Sequence, residues 1–106
     1  MGGKSSRAKG QAGEREIADM LTYATGIHVT RNLTQTRGGG DDINCVPGIS
    51  IEVKRQEALS VGSWWKQCLR QAEGRVPVLA YRQNRKPWIF VVGKRENSMN
   101  KAEFLK

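Results

Sequence analysis

The sequence predicts an α/β fold in which a central mixed β-sheet is flanked by helices, in the order α-β-β-β-α-β-β. Apolar residues recur at helical spacing in some segments, follow strand patterns in others, and the two kinds of segment are interleaved. The chain has 106 residues, which is enough for one sheet with a few helices. We expect residues 1–10, rich in Gly, Ser and Lys, to form a flexible basic arm, and residues 11–106 to form a single domain.

The first helix is expected at Gln11–Thr25 and should end at Gly26. Its apolar residues recur at spacings of three and four, namely Ile17, Met20, Leu21 and Ala24. Glu14 lies three residues before Ile17 and extends the same inward face, whereas Glu16 points elsewhere. A carboxylate on a buried helix face is unusual unless another group pairs with it, so Glu14 is a candidate functional residue.

Three short strands should follow, at Ile27–Asn32, Asp42–Val46 and Ile49–Lys54. A Gly-rich loop over residues 32–40 separates the first two strands. The tight-turn signal Pro47-Gly48 joins the second and third strands as a hairpin. Apolar and polar residues alternate along the third strand, so Glu52 and Lys54 share one face of it.

The second half of the chain is expected to add one helix and two strands. These elements are a helix at Trp64–Glu73, a strand at Val76–Tyr81 and a strand at Trp88–Val92. Ser63 is the predicted N-cap of the helix, and Gly74 should end it. A basic turn at residues 84–87 connects the two strands, and the tail from Ser98 is expected to form a short helix.

The formal net charge is +8 and the sequence pI is about 10.0. Residues 1–53 carry six basic and six acidic side chains, whereas residues 54–106 carry twelve and four, so the second half holds the whole excess. Such a surface favours a polyanion, most simply nucleic acid, over a merely soluble basic protein. The two cysteines do not have metal-ligand spacing and no apolar run is long enough to span a membrane, so we expect a reduced, cytoplasmic protein with no membrane partner.

The candidate chemistry lies in the predicted hairpin. Glu52 and Lys54 are two residues apart, or about 7 Å along one strand face, and the hairpin can bring Asp42 beside Glu52. Adjacent carboxylates repel unless a cation lies between them, and a hard divalent ion such as Mg²⁺ accepts such oxygen ligands. The ion would polarise a phosphate, and Lys54 would orient water or offset developing charge. The alternative is an exposed hairpin with ordinary surface charges.

These residues also carry a family resemblance. The run Gly40-Asp41-Asp42-Ile43, with nine residues between Asp42 and the Glu52-Val53-Lys54 element, resembles the signature of the PD-(D/E)xK nuclease superfamily, which has a restriction-endonuclease-like core. The segment of residues 9–16, with Arg31 and the Gly-rich loop, is similar to archaeal-type Holliday junction resolvases, including phage versions. The resemblance covers roughly residues 9–92.

The resemblance implies a role for each matching residue. Asp42 and Glu52 would be metal ligands for Mg²⁺, with Mn²⁺ as a substitute, and the Val53 carbonyl would contribute. Lys54 would be the catalytic lysine, and Glu14 would lie near the metal, directly or through water. Arg31 would be a basic residue near the scissile phosphate.

The sequence departs from the signature at Asp41, which stands where proline is usual. Asp41 therefore competes with Asp42 for the ligand role, and we prefer Asp42 because apolar Ile43 follows it, as in the signature. The loop before the aspartate also lacks the serine that the resolvases often carry, and its hydroxyls are Thr34 and Thr36.

Basic side chains outside this group are candidates for contacts to DNA phosphates, although each can equally be a solvated charge. They are Arg37, Arg55, Arg70, Arg82, Arg85 and Lys86. Gln67 joins them because related nucleases place a glutamine near the active site from this helix, the alternative being an exposed polar stripe.

The sequence therefore predicts a phage-like, metal-dependent endonuclease for branched DNA, without a small-molecule cofactor, most simply a Holliday junction resolvase in DNA recombination. A four-way junction needs two cuts on opposing strands, and two copies related by a twofold axis supply two active sites, so we expect a homodimer. The alternatives are a related nuclease for flaps, single strands or other DNA, and a non-catalytic DNA-binding protein.

Overall fold

The structure is a computed structural model that describes residues 2–32, 42–44 and 47–94. Its elements, in order, are α1 (Gly2–Thr25), β1 (Thr30–Arg31), β2 (Ile43–Asn44), β3 (Ile49–Arg55), α2 (Val61–Ala72), β4 (Val76–Arg82) and β5 (Ile89–Val92). The predicted order and the predicted α/β class with a mixed, helix-flanked sheet are confirmed, and the architecture is compatible with a restriction-endonuclease-like core.

The main sheet has the order β3-β4-β5, in which β3 and β4 are parallel and β5 is antiparallel to β4. The crossover between the two parallel strands is α2, as parallel pairing requires. A second ladder joins β1 and β2 in antiparallel register. The amide of Asp42 donates a hydrogen bond of 3.1 Å to the Ile51 carbonyl, which places the start of β2 beside β3.

Each face of the main sheet carries one helix. On the first face, Ile17 and Ala18 of α1 pack against Ile51, Val53 and Ala80 of the sheet. On the second face, Trp64 and Cys68 of α2 pack against Leu79 of β4. The alternation predicted for β3 is therefore real, since its apolar residues face α1 and leave Glu52 on the α2 side, within reach of Gln67.

The first helix is longer than predicted, because α1 begins at Gly2 and not at Gln11. Residues 2–10 are helical, so the predicted start of the helix at Gln11 was wrong, while the flexible basic arm at residues 1–10 stays a prediction. Several residues of this segment, including Ala8 and Lys9, have good helix propensity and continue the helix without contributing to its apolar face. Apolar periodicity predicts only the part of α1 that packs on the sheet, and the N-terminal part of the helix lacks this pattern.

The first strand is shorter than predicted, because the chain uses its backbone donors on α1. The amide of Ile27 donates to Thr25 Oγ1 at 3.1 Å, and the amide of Val29 donates to Thr22 Oγ1 at 3.0 Å. The Ile27 and Val29 amides are therefore already hydrogen-bonded to α1, and ladder pairing starts only at Thr30.

The predicted pairing of the second and third strands as a hairpin was wrong for the described residues. Within the described residues, β2 forms its ladder with β1, while β3 forms its ladder with β4. Pro47 and Gly48 do form a turn, with Gly48 at φ +75°, and the Gly48 carbonyl accepts a hydrogen bond of 2.9 Å from the Val76 amide. The turn thus fixes the start of β3 beside the start of β4.

The second helix starts at Val61, three residues before the predicted Trp64, and Ser60 rather than Ser63 is its N-cap. Val61 packs against the apolar cluster around Trp64, which extends the helix by almost one turn. The last strand starts at Ile89, one residue after the predicted Trp88. The predicted loop at residues 33–40, Cys45, Val46 and the tail from Ser98 lie outside the described residues. No helix in the part of the chain that the structure describes combines the length and apolar character needed to cross a bilayer.

Candidate active site

Two of the predicted site residues, Glu52 and Lys54, lie side by side on strand β3. Glu52 is 4 % exposed, and Lys54 Nζ lies 3.5 Å from Glu52 Oε2. From α2, Gln67 Nε2 donates a long hydrogen bond of 3.4 Å to the same Glu52 oxygen. The alternation of β3 and the helical crossover after it therefore place an acid, a lysine and an amide together.

Asp42 is held against β3 through both its backbone and its side chain. It is 5 % exposed, and its Oδ2 accepts a hydrogen bond of 2.8 Å from the Val53 amide. Its carbonyl accepts a bond of 2.8 Å from the Asn32 amide, so it also ties the β1–β2 ladder to the main sheet. Asp42 and Glu52 come together although ten positions separate them in the sequence.

The electrostatic environment of Glu52 is unusual for a carboxyl group. Burial is the largest cause and, with repulsion by the Asp42 carboxylate, raises the pKa of Glu52 to about 8, while Lys54 acts in the opposite direction. Protonated Glu52 can also donate a hydrogen bond to Asp42, which raises its pKa further. The protein thus places two carboxyl groups side by side where water cannot fully solvate them.

Glu14 of α1 lies near this pair and has its own cationic partner. Its Oε1 is 3.0 Å from Arg31 Nε of β1, and the two side chains are 18 % and 22 % exposed. Burial raises the pKa of Glu14, the Arg31 hydrogen bond lowers it, and repulsion by Asp42 raises it. The predicted inward-facing carboxylate is therefore paired with the arginine that was predicted to lie near the scissile phosphate.

A divalent cation fits the donors at this site. Glu52 Oε1 is buried without a hydrogen-bond donor among the described residues, and Asp42 is a second anionic oxygen donor beside it. Buried charge of this kind is costly unless a proton or a cation offsets it. Within the described residues, no group of three or more His, Cys, Asp or Glu side chains is arranged to hold a metal.

The comparisons with known proteins identify the family. Residues 5–105 match the model of a family described as "Phage putative PDDEXK endonuclease". The chain belongs to this family. None of the curated proteins compared with it matches, and no solved structure does. The resemblance to the PD-(D/E)xK superfamily is thereby confirmed over almost the whole chain.

In this PDDEXK-family chain, two of the basic residues predicted to contact DNA, Arg55 and Arg82, are paired with the carboxylate of Glu16. Glu16 Oε1 accepts a hydrogen bond from Arg82 Nη1 and one of 3.1 Å from Trp88 Nε1, and Glu16 Oε2 lies 3.6 Å from Arg55 Nη1. The expectation that Glu16 points elsewhere was therefore wrong. Its helical position next to the inward face was the signal available, but only the sheet supplies its partners.

The remaining predicted DNA contacts that the structure describes are exposed side chains. Arg85 and Lys86 are exposed in the turn between β4 and β5, where Arg85 has φ +61°. Arg70 is exposed in the last turn of α2. Arg37 and the competing aspartate Asp41 lie outside the described residues, as do Thr34 and Thr36.

Proposed function

We propose that this chain is a metal-dependent endonuclease that hydrolyses phosphodiester bonds in DNA, with branched DNA, above all the Holliday junction, as its substrate. The observation that carries the proposal is the buried Asp42–Glu52 pair with Lys54 Nζ 3.5 Å from Glu52, in a chain of an endonuclease family. Mg²⁺ is the proposed ion, with Mn²⁺ as a substitute. The preference for branched DNA draws its support from the resemblance at residues 9–16 and Arg31 to junction resolvases.

In this proposal Asp42 and Glu52 hold the cation, with the Val53 carbonyl and, through water, Glu14 as further donors. When bound, a divalent cation polarises a phosphate oxygen and acidifies water. The Asp42 carboxylate is oriented by the Val53 amide. Gln67 and Lys54 both contact Oε2 of Glu52, whereas the buried Oε1 atom has no hydrogen-bond donor among the described residues. The Lys54 ammonium would stabilise the charge that develops on the attacked phosphate.

Arg31 has a different part in the proposed mechanism. Its guanidinium is engaged by Glu14 through Nε and is still partly exposed, so further N–H groups can reach a phosphate. The Glu14–Arg31 pair would thus connect the position of the scissile phosphate to the position of the carboxylates.

The test is a cleavage assay on a labelled four-way junction, a flap, a duplex and a single strand, each with Mg²⁺ and with EDTA. We expect paired symmetric nicks in the junction alone, lost in EDTA. Asp42→Asn should reduce the nicking rate by at least about a hundredfold, because the cation loses an anionic ligand, while junction binding is retained. Asp19→Asn, which removes an exposed carboxylate from α1, is the matched control and should cut at the wild-type rate.

Each alternative has its own outcome in this assay. Cutting of flaps or single strands in place of junctions would keep the site and replace the substrate. Binding without cutting, with both Mg²⁺ and Mn²⁺, would identify a DNA-binding protein and refute the catalytic roles. Normal cutting by Asp42→Asn would show that another residue is the ligand, and Asp41 would then be the first to replace.

A further inference from the structure

The outermost strand of the main sheet is apolar and exposed. In the order β3-β4-β5, one edge of β5 has no neighbouring strand among the described residues. Ile89, Phe90 and Val92 are 46 %, 46 % and 63 % exposed, and the strand contains no charged residue and no proline. Edge strands are normally protected by charge, proline or a bulge, because their free backbone groups pair readily with another strand.

We propose that β5 is the surface through which two copies of this chain associate, by antiparallel pairing of β5 with β5 of a second copy. A twofold axis through the strand edge pairs the same groups of both copies and closes the assembly at two. The result is one continuous sheet in the order β3-β4-β5-β5-β4-β3. Ladder hydrogen bonds form along the shared edge, and the exposed apolar side chains of both copies cover one another.

The strand is an uncharged stretch that lies between basic residues, with Lys86 before it and Lys94 after it. Each copy carries +8, so two copies repel wherever basic surfaces meet, and Ile89–Val92 is an uncharged stretch. The strand also has no acidic group to attract a basic partner and no basic group to bind DNA. Its complement is therefore another uncharged apolar strand.

The neighbouring helix extends the apolar surface. The Trp65 ring approaches to 3.0 Å from where a Cβ would lie on Gly93, directly after β5. Leu69 lies one helical turn after Trp65 and is 48 % exposed, so it borders the same edge on the α2 side. The contact between copies thus includes more than the four residues of the strand.

This arrangement has a consequence that rests on the proposed function. Adjacent strands are about 4.8 Å apart, so the five intervals between the two copies of β3 separate them by about 24 Å. Because the twofold axis is perpendicular to the sheet, both copies of Glu52 and Lys54 lie on the same face. Two active sites on one face would act on one DNA molecule and produce paired cuts.

The test is the mass of the full chain in solution, measured by light scattering after size exclusion over a range of concentrations. We expect the wild type to have twice the monomer mass of 11.8 kDa at high concentration. Phe90→Lys and Val92→Lys should each shift the mass to the monomer value. Circular dichroism shows whether each variant is folded, and two separate substitutions guard against one that fails to fold.

Ile27→Lys is the matched control, because Ile27 is 45 % exposed and lies near the β1–β2 ladder, which adjoins β3 at the edge of the main sheet away from β5. It adds the same charge and should leave the dimer mass unchanged. A wild type that stays monomeric at every concentration would overturn the proposal, and residues 95–106, which follow the strand, would become the candidate cover. A dimer that persists in both folded β5 variants would overturn it as well. Neither result depends on cleavage, so failure here is distinct from failure of the nuclease assignment.

Discussion

At the scale of single residues, the buried position of Glu52 is not explained by a contribution to stability. It is 4 % exposed, has a buried oxygen without a donor among the described residues, and adjoins Asp42. An arrangement of this kind lowers the free energy of unfolding unless a proton or a cation compensates it. Residues that are costly in the absence of a ligand are typical of functional sites.

The raised pKa of Glu52 predicts how stability depends on pH when metal is removed. Because the pKa rises from 4.5 to about 8 on folding, the folded protein binds this proton more tightly than the unfolded chain does. The contribution to stability is fully present below pH 4.5 and is lost as the pH rises to about 8, by an amount on the order of a few kcal/mol. Urea denaturation in EDTA across this range should show the decline.

Glu52→Gln keeps the neutral form at every pH and should therefore lack this decline, so the variant becomes more stable than the wild type towards pH 8. Mg²⁺ should reduce the decline in the wild type, since the cation favours the ionised carboxylate. Identical pH profiles for the variant and the wild type would contradict the assignment of the raised pKa to Glu52.

Glu16 gives a second prediction at this scale. Its carboxylate contacts Arg55, Arg82 and Trp88, and all four side chains are partly buried. Glu16→Ala should destabilise the fold by about 1–3 kcal/mol, because two guanidinium groups then lose their counterion. Glu16→Gln should be less destabilising, since its amide oxygen can still accept the Trp88 hydrogen bond. Chemical denaturation measures both, and no loss in Glu16→Ala would show that the cluster contributes nothing to stability.

At the scale of elements, the contact between α1 and the sheet depends on a glycine in the helix. A Cβ on Gly13 would lie 3.1 Å from Arg55 Cβ and 3.2 Å from Trp88 Cη2, so the helix approaches β3 too closely for a side chain to fit without a shift. Gly10, one turn earlier, has nothing within 4 Å of the same position. A close contact therefore favours glycine at position 13, whereas the space around position 10 would admit a side chain.

The pair Gly10→Ala and Gly13→Ala tests this contact. Gly10→Ala should stabilise the protein by about 0.5–1 kcal/mol, through helix propensity alone. Gly13→Ala receives the same propensity gain but must displace Arg55 or Trp88, so it should be clearly less stable than Gly10→Ala. Thermal unfolding of both variants beside the wild type provides the measurement. Equal gains would mean that α1 does not need the close approach.

At the scale of the whole molecule, some basic side chains are paired with a carboxylate and others are exposed in a turn. Arg55 and Arg82 are paired with Glu16, while Arg85 and Lys86 are exposed in the turn before β5. Arg31 is likewise paired, with Glu14, so of these five side chains only Arg85 and Lys86 are exposed. Counting charges in the sequence cannot make this division, because the pairing partner of Arg82 is 66 residues away.

The salt dependence of DNA binding tests the division. Each lost phosphate contact reduces the slope of log K against log salt concentration by about 0.9. The double variant Arg85→Asn, Lys86→Gln should reduce it by about twice that amount, and asparagine suits the positive φ at position 85. DNA binding is measured by fluorescence anisotropy. All proteins compared carry Asp42→Asn, so that the DNA is not cut during the titration. An unchanged slope would remove the turn from the proposed DNA interface.

The sequence by itself determined the order of the elements, the faces of β3 and the spacing of the acid–acid–lysine group. These are local properties, since strand alternation and helical period follow from backbone geometry within one segment. It also determined the charge imbalance and the resemblance to the PD-(D/E)xK superfamily. The match over residues 5–105 confirmed that superfamily resemblance.

Only the tertiary structure decided which segments meet. It paired β2 with β1, brought Asp42 beside Glu52, joined Glu14 to Arg31 and placed Glu16 between Arg55 and Arg82. Such contacts depend on how two helices and a mixed sheet pack together, and no periodicity within one segment encodes its partner in another. The exposure of β5 has the same origin: the sequence predicts a strand there, and its place at the edge of the main sheet among the described residues leaves Ile89, Phe90 and Val92 exposed.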